Sequence, residues 1–229
     1  MTLEQLNRKI ISCKKCKRLV AWRNRTAKEK TRRFSDWKYW GKPLTGFGDK
    51  KARLLIIGLA PATHGGNRTG RMFTGDRSGD LLIRTLYKAG LANQPFSIHR
   101  DDGLVLRNCF ITAICKCAPP ENKPLKEEII NCIPYFTNEI RHLKNTKVII
   151  VLGRVAFNVT IKCLRELGEL EQENKFVFQH GAYYKINEKK SLICSYHPSQ
   201  QNTFTGRLTE KMFYDIFKLA NKLLKKNEA

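Results

Sequence analysis

Three groups of residues have the types and spacing for chemistry. Cys13 and Cys16 form a C-x-x-C pair in a polar stretch, and six further cysteines stand at positions 109, 115, 117, 132, 163 and 194. Two sulfurs at that spacing reach one metal, yet zinc, an iron–sulfur cluster, a redox pair and coincidence all compete until two more ligands are found. The second group is Gly58–Asp76, with five glycines in nineteen residues. Glycines let backbone amides approach a ligand closely. Their spacing fits neither the dinucleotide G-x-G-x-x-G pattern nor the Walker loop, so neither of those sites is supported. The third is His197-Pro198-Ser199, an imidazole on a turn stiffened by proline.

The elements around these groups read as an alternation. Leu54–Ile57, Cys109–Ile114, Val148–Leu152 and Leu192–Tyr196 are short continuous apolar runs, the pattern of strands buried on both faces. Between and after them lie helical stretches at Asp80–Ala92, Lys126–Leu143, from about Val155, and Thr209–Leu224. Residues 17–51 are basic and aromatic, a helix followed by an ordered loop. Strands alternating with helices predict an α/β fold with a four-stranded parallel sheet covered on both faces. Ligands of such folds sit at the carboxyl ends of the strands, which here means the loops after Ile57, Ile114 and Tyr196.

Charge narrows the partner. The 229 residues hold 43 Lys and Arg against 20 Asp and Glu, a formal balance of +23 spread along the chain. That excess predicts a polyanion, nucleic acid before an anionic membrane surface. The 41% apolar content excludes wholesale disorder. No window approaches ~18 consecutive apolar residues, and the N-terminus lacks a signal-peptide core. A cytoplasmic protein with no membrane association is expected, its cysteines reduced or metal-bound.

Taken together, the loops resemble those of the uracil-DNA glycosylase superfamily, most closely its iron–sulfur family 5, the B-type enzymes of archaea and thermophilic bacteria. Gly58–Ala62 continued through Gly65–Asp80 resembles the first family motif, and His197–Ser199 continued to Thr209 the second. Lys116–Pro124 is similar to a block shared with family 4. The match runs from Cys13 to about Phe213 and implies one α/β/α domain over 1–229, with residues 1–50 an extension tied to the core by a metal cluster. By this resemblance Cys117 and Cys132 join Cys13 and Cys16 around a structural 4Fe–4S cluster. Four thiolates also suit zinc, so ligand chemistry alone leaves both open. No dissociable cofactor is implied. The remaining thiols read as small buried hydrophobes.

The resemblance implies excision of uracil from damaged DNA, double- or single-stranded, by hydrolysis of the glycosidic bond. Protein partners are left open. Base removal requires the nucleotide to be flipped out of the stack. Phe73 is expected to stack on the base beside Ala60 and Thr112, and His197 to hydrogen-bond O2 as charge develops there. Relatives carry a polar residue in the first motif to orient water, whereas Leu59-Ala60-Pro61-Ala62 is apolar. Asn67 is the expected water-positioning residue and Asp76 the alternative. Arg68, Arg71, Ser199, Asn202 and Arg207 are expected on the DNA backbone, with Gln200 or Gln201 as a wedge. Ala113 stands where family 4 carries an asparagine, so selection should relax to include hypoxanthine. Two rival classes remain: a non-enzymatic nucleic-acid binder with a Cys₄ metal site, and an electron-transfer protein.

Overall fold

The structure is a computed structural model, describing residues 1–171 and 175–226; positions 172–174 and 227–229 of the expected domain lie outside the described residues. In chain order the elements are α1 (Leu3–Ile11), α2 (Lys17–Glu29), β1 (Phe47–Gly48), β2 (Leu54–Gly58), α3 (Gly66–Thr69), α4 (Arg77–Lys88) and β3 (Cys109–Ala113). They continue with α5 (Lys126–His142), β4 (Val148–Leu152), α6 (Arg154–Glu166), β5 (Tyr183–Lys185), β6 (Ser191–Ser195), α7 (Gln200–Phe204) and α8 (Glu210–Lys226).

The four apolar runs form the parallel centre of one sheet. Its order is β1-β3-β2-β4-β6-β5, and β3, β2, β4 and β6 run parallel, with Ile56 opposite Ile111 and Ile150. Every residue of those four strands is buried, as continuous apolar composition requires. The sheet has six strands rather than the expected four. β1 and β5 add antiparallel edges of two and three residues, too short and too exposed to leave an apolar signature.

Side chains alternate across the sheet and feed two cores. Leu54, Ile56, Ile111, Val148 and Ile150 pack with Leu82, Leu86, Phe213 and Phe217 of α4 and α8. Leu55, Ile57, Phe110, Ile149 and Val151 pack on the other face with Phe136, Ile140, Phe157 and Leu164 of α5 and α6. The result is three layers, α/β/α. Helix α1 was not expected from the sequence. A Thr2–Gln5 capping box starts it, and Leu6 and Ile10 are buried as it packs on α5.

Candidate active site

One cleft opens at the carboxyl ends of β2, β3 and β6, and the loop after each strand forms one wall. Leu59–Ala62 supplies an apolar wall, with Ala60 half-buried. Phe73 stands beside it with φ +48, a left-handed conformation that a bulky side chain adopts only where its surroundings force it. Its ring packs on Gly58, where an added Cβ would fall 2.8 Å from Cζ. The ring centroid lies 6.1 Å from that of His197, tilted by 31°. Phe73 is therefore presented at the cleft.

His197 follows β6 on the opposite wall. Its carbonyl accepts a 2.8 Å hydrogen bond from Asn202 Nδ2, and Ser199 Oγ accepts from the Asn202 amide as cap of α7. Burial pulls the imidazole pKa from near 6.5 to about 4. The ring is neutral at neutral pH, able to donate one hydrogen bond to developing negative charge without carrying its own.

Asp76 completes the polar set. Its Oδ1 accepts from Gly79 N at 3.0 Å and caps α4, which starts the helix three residues before the expected Asp80. Oδ2 lies against Gly65, where a Cβ would sit 2.0 Å away, so only glycine admits it there. Burial raises the carboxyl pKa. The rim carries Arg77, Glu121, Asn122, Lys123, Gln200 and Gln201. Asn122 was missed at the sequence level, although it lies in the loop after β3 where ligands were expected. Its amide is able to donate and accept at once.

Several expected roles require correction. Asn67 is fully buried in α3, its Nδ2 3.5 Å from Arg23 O and its backbone bonded to Ala62 O, away from the cleft lining. Arg68 is 3% exposed, bonded to His64 O and Gly75 O and held between the rings of Phe34 and Trp37 at 3.9 and 4.1 Å. Arg71 is buried in an ion pair with Asp102 at 2.7 Å, with further bonds to Ser97 and Thr74. Both arginines hold loops together and neither presents its charge to DNA. Thr112 is equally withdrawn: its hydroxyl donates to Glu139 and accepts from Lys116, inside a buried ion pair between those two residues. Asn202 orients His197 through its amide nitrogen. Ser199, Gln200 and Gln201 stand at the rim, and Arg207 is exposed with its guanidinium 4.6 Å from the Tyr196 ring centroid.

A second, smaller cavity gathers the four cysteines. Cys13 follows α1, Cys16 precedes α2, Cys117 follows β3, Cys132 lies on α5, and all four line it. Arg23 is 5% exposed, donating to Cys117 Sγ at 2.9 Å and Cys13 O at 3.2 Å while its Nε finds no partner among the described residues. A buried guanidinium calls for negative charge, and none of these partners is a carboxylate; four thiolates would provide it. The donor set thus fits an anionic metal–sulfur group. Among the described residues no three His, Cys, Asp or Glu side chains stand close enough to share one metal ion. Cys109, Cys115, Cys163 and Cys194 are buried in the layers.

The chain matches the family model of the uracil DNA glycosylase superfamily over residues 45–221. It is 46% identical over 220 residues to the "Type-5 uracil-DNA glycosylase" of Mycobacterium tuberculosis, covering 96% of this chain and 81% of that one. To the protein of the same name from Thermus thermophilus it is 42% identical over 223 residues, 97% of this chain and 99% of the relative. A "Type-4 uracil-DNA glycosylase" of Sulfurisphaera tokodaii is 28% identical over 223 residues, 96% and 85% of the two chains.

Proposed function

Because the chain belongs to the uracil DNA glycosylase superfamily and resembles its type-5 members over nearly its whole length, we propose that it hydrolyses the N-glycosidic bond of uracil in DNA and leaves an abasic site. The observation that carries this is the meeting of Phe73, neutral His197 and the half-buried Asp76 carboxylate in one cleft at the strand ends.

The nucleotide enters the cleft flipped from the stack. Phe73 stacks on the base and Ala60 bounds it. As the glycosidic bond lengthens, negative charge collects on O2, where the His197 N–H stabilises it. Asp76, rather than Asn67, holds the attacking water and takes its proton, since Asn67 lies outside the cleft lining and Glu121, the other carboxylate there, is exposed at the rim. Asn122 reads the base edge through its amide. Ser199, Gln200 and Arg207, joined by Arg77 and Lys123 on the rim, meet the DNA backbone, and Gln200 or Gln201 fills the gap in the stack. Neither Thr112 nor Ala113 offers a free polar group to the base, and the Asn122 amide can pair with the N–H and C=O edge of hypoxanthine as with that of uracil, so hypoxanthine is accepted beside uracil in single or double strands.

Cys13, Cys16, Cys117 and Cys132 would hold a 4Fe–4S cluster, tying residues 1–50 to the rest of one domain. Bound there, it would supply a structural crosslink and negative charge opposite Arg23. Among the described residues no helix is long and apolar enough to cross a membrane, and a cytoplasmic, DNA-associated place follows from the activity. Incubation with otherwise identical uracil and hypoxanthine duplexes, followed by alkali, tests the reading. Strand breaks at the modified base are expected in both. Intact strands in both would leave a non-enzymatic nucleic-acid binder.

A further inference from the structure

The loop that brings Glu121, Asn122 and Lys123 to the cleft is held at both ends by one helix whose arginines stay outside the cleft lining. At the start of the loop, Arg23 of α2 donates to Cys117 Sγ. At its end, Arg18 of the same helix donates to Lys123 O at 3.2 Å and forks onto Glu128, with Nε and Nη2 each 2.8 Å from a carboxylate oxygen. Glu128 is almost fully buried, and its Oε2 also accepts from Leu125 N at 2.7 Å. The fork thus fixes the residues on both sides of Pro124. Between the two anchors Glu121 and Asn122 are both left-handed, with φ +54 and +58. Two consecutive non-glycine residues keep that conformation only when their surroundings over-determine it. The same helix reaches the facing wall, where Trp22 Nε1 donates to Thr63 Oγ1 at 3.2 Å, next to the cleft residue Ala62.

We propose that α2 is a positioning strut for the base pocket. Arg18 sets the placement of Asn122 through Lys123 and Glu128, and Trp22 sets the facing wall, without either touching the substrate. This gives the N-terminal segment a part in base recognition distinct from anchoring metal, and it rests on the reading of the cleft as the base pocket.

The test is Arg18→Met in the full chain, checked first for unchanged visible absorption so that cluster loss is not what is measured. Amide exchange at Asn122, Lys123 and Leu125 should quicken by about tenfold or more while the central strands stay protected. Single-turnover excision of uracil should slow by about tenfold, as small misplacements of a binding wall do, with affinity for undamaged duplex held within about twofold. Glu128→Gln, which keeps an acceptor for Leu125 but weakens the fork, should move both readouts the same way by less, and it serves if Arg18→Met does not fold. Unchanged loop exchange, or excision at the parent rate, would overturn the proposal. So would a loss of undamaged-duplex affinity equal to the loss of rate, since that makes Arg18 a phosphate contact. Absence of excision in the parent protein would instead sink the glycosylase reading, and loop exchange would still decide the strut.

Discussion

Replacing Asp76 by asparagine separates the cap that its carboxylate forms from the general-base role proposed for it. The first is structural: Oδ1 caps α4 through Gly79 N at 3.0 Å. Asparagine caps as well as aspartate, whereas alanine loses about 1 kcal/mol, roughly 2–4 °C of melting temperature in a chain of this size. The second is chemical. A general base contributes about 10²–10⁴-fold, and asparagine cannot take a proton. Burial holds the Asp76 carboxyl pKa above its usual range, so the folded chain binds this proton more tightly than the unfolded one. Its contribution to stability is present at low pH and is lost as pH rises through the raised value. At neutral pH the ionised group therefore burdens the fold, and Asp76→Asn should melt at or above the parent temperature. Single-turnover excision on a uracil duplex should nevertheless fall by about 10²–10⁴. The parent rate should decline with falling pH at a higher pH than an ordinary carboxylate gives. Two results would refute the reasoning: an Asp76→Asn rate within about threefold of the parent, or a larger loss in Asn67→Ala than in Asp76→Asn.

His197→Ala should slow excision by about 10²–10³ with affinity for undamaged DNA retained, measured by single-turnover kinetics beside equilibrium binding. Since burial takes the imidazole from near 6.5 to about 4, the unfolded chain takes up a proton between those values that the fold refuses. Urea midpoints should fall as pH drops through that window, and less so in His197→Asn. Cys117→Ser should bleach the broad visible absorption of anaerobically purified protein and lower its melting temperature, while Cys163→Ser keeps its colour; stoichiometric zinc without iron would rule out the cluster. The logarithm of affinity for undamaged duplex should fall linearly with that of salt concentration, as phosphate contacts release counterions, and a salt-independent dissociation constant would contradict the role given to the +23 charge.

The central strands were legible because burial on both faces leaves an unbroken apolar run, and from their order the carboxyl-end loops could be located. What failed was the reading of polar residues within those loops. Arg68 and Arg71 sit in a basic, glycine-rich stretch and look like phosphate contacts. Their actual partners, Phe34, Trp37, Ser97 and Asp102, come from other parts of the chain that only the fold brings together. Thr112 was lost for a different reason. It alternates with Ala113, but every residue of β3 is buried, so periodicity gives no sign that its hydroxyl faces Glu139. Asn122 carries no signal of its own in the sequence, since only the left-handed turn at Glu121 and Asn122 brings it to the cleft. Asp76 carried the usual ambiguity of a helix cap, and only its place on the cleft wall supports the second role proposed for it.

The fork between Arg18 and Glu128 spans 110 positions and the Arg23–Cys117 bond 94. A ribosome adds about 5–20 residues per second, so α2 emerges some 5–20 s before the helix and loop that hold it. During that interval Arg23 has no sulfur from Cys117 to bind, and Cys13 and Cys16 are bare thiols on an undocked segment. Assembly of the proposed metal site therefore has to wait for α5, and the first segment synthesised cannot make these contacts until that helix has followed it.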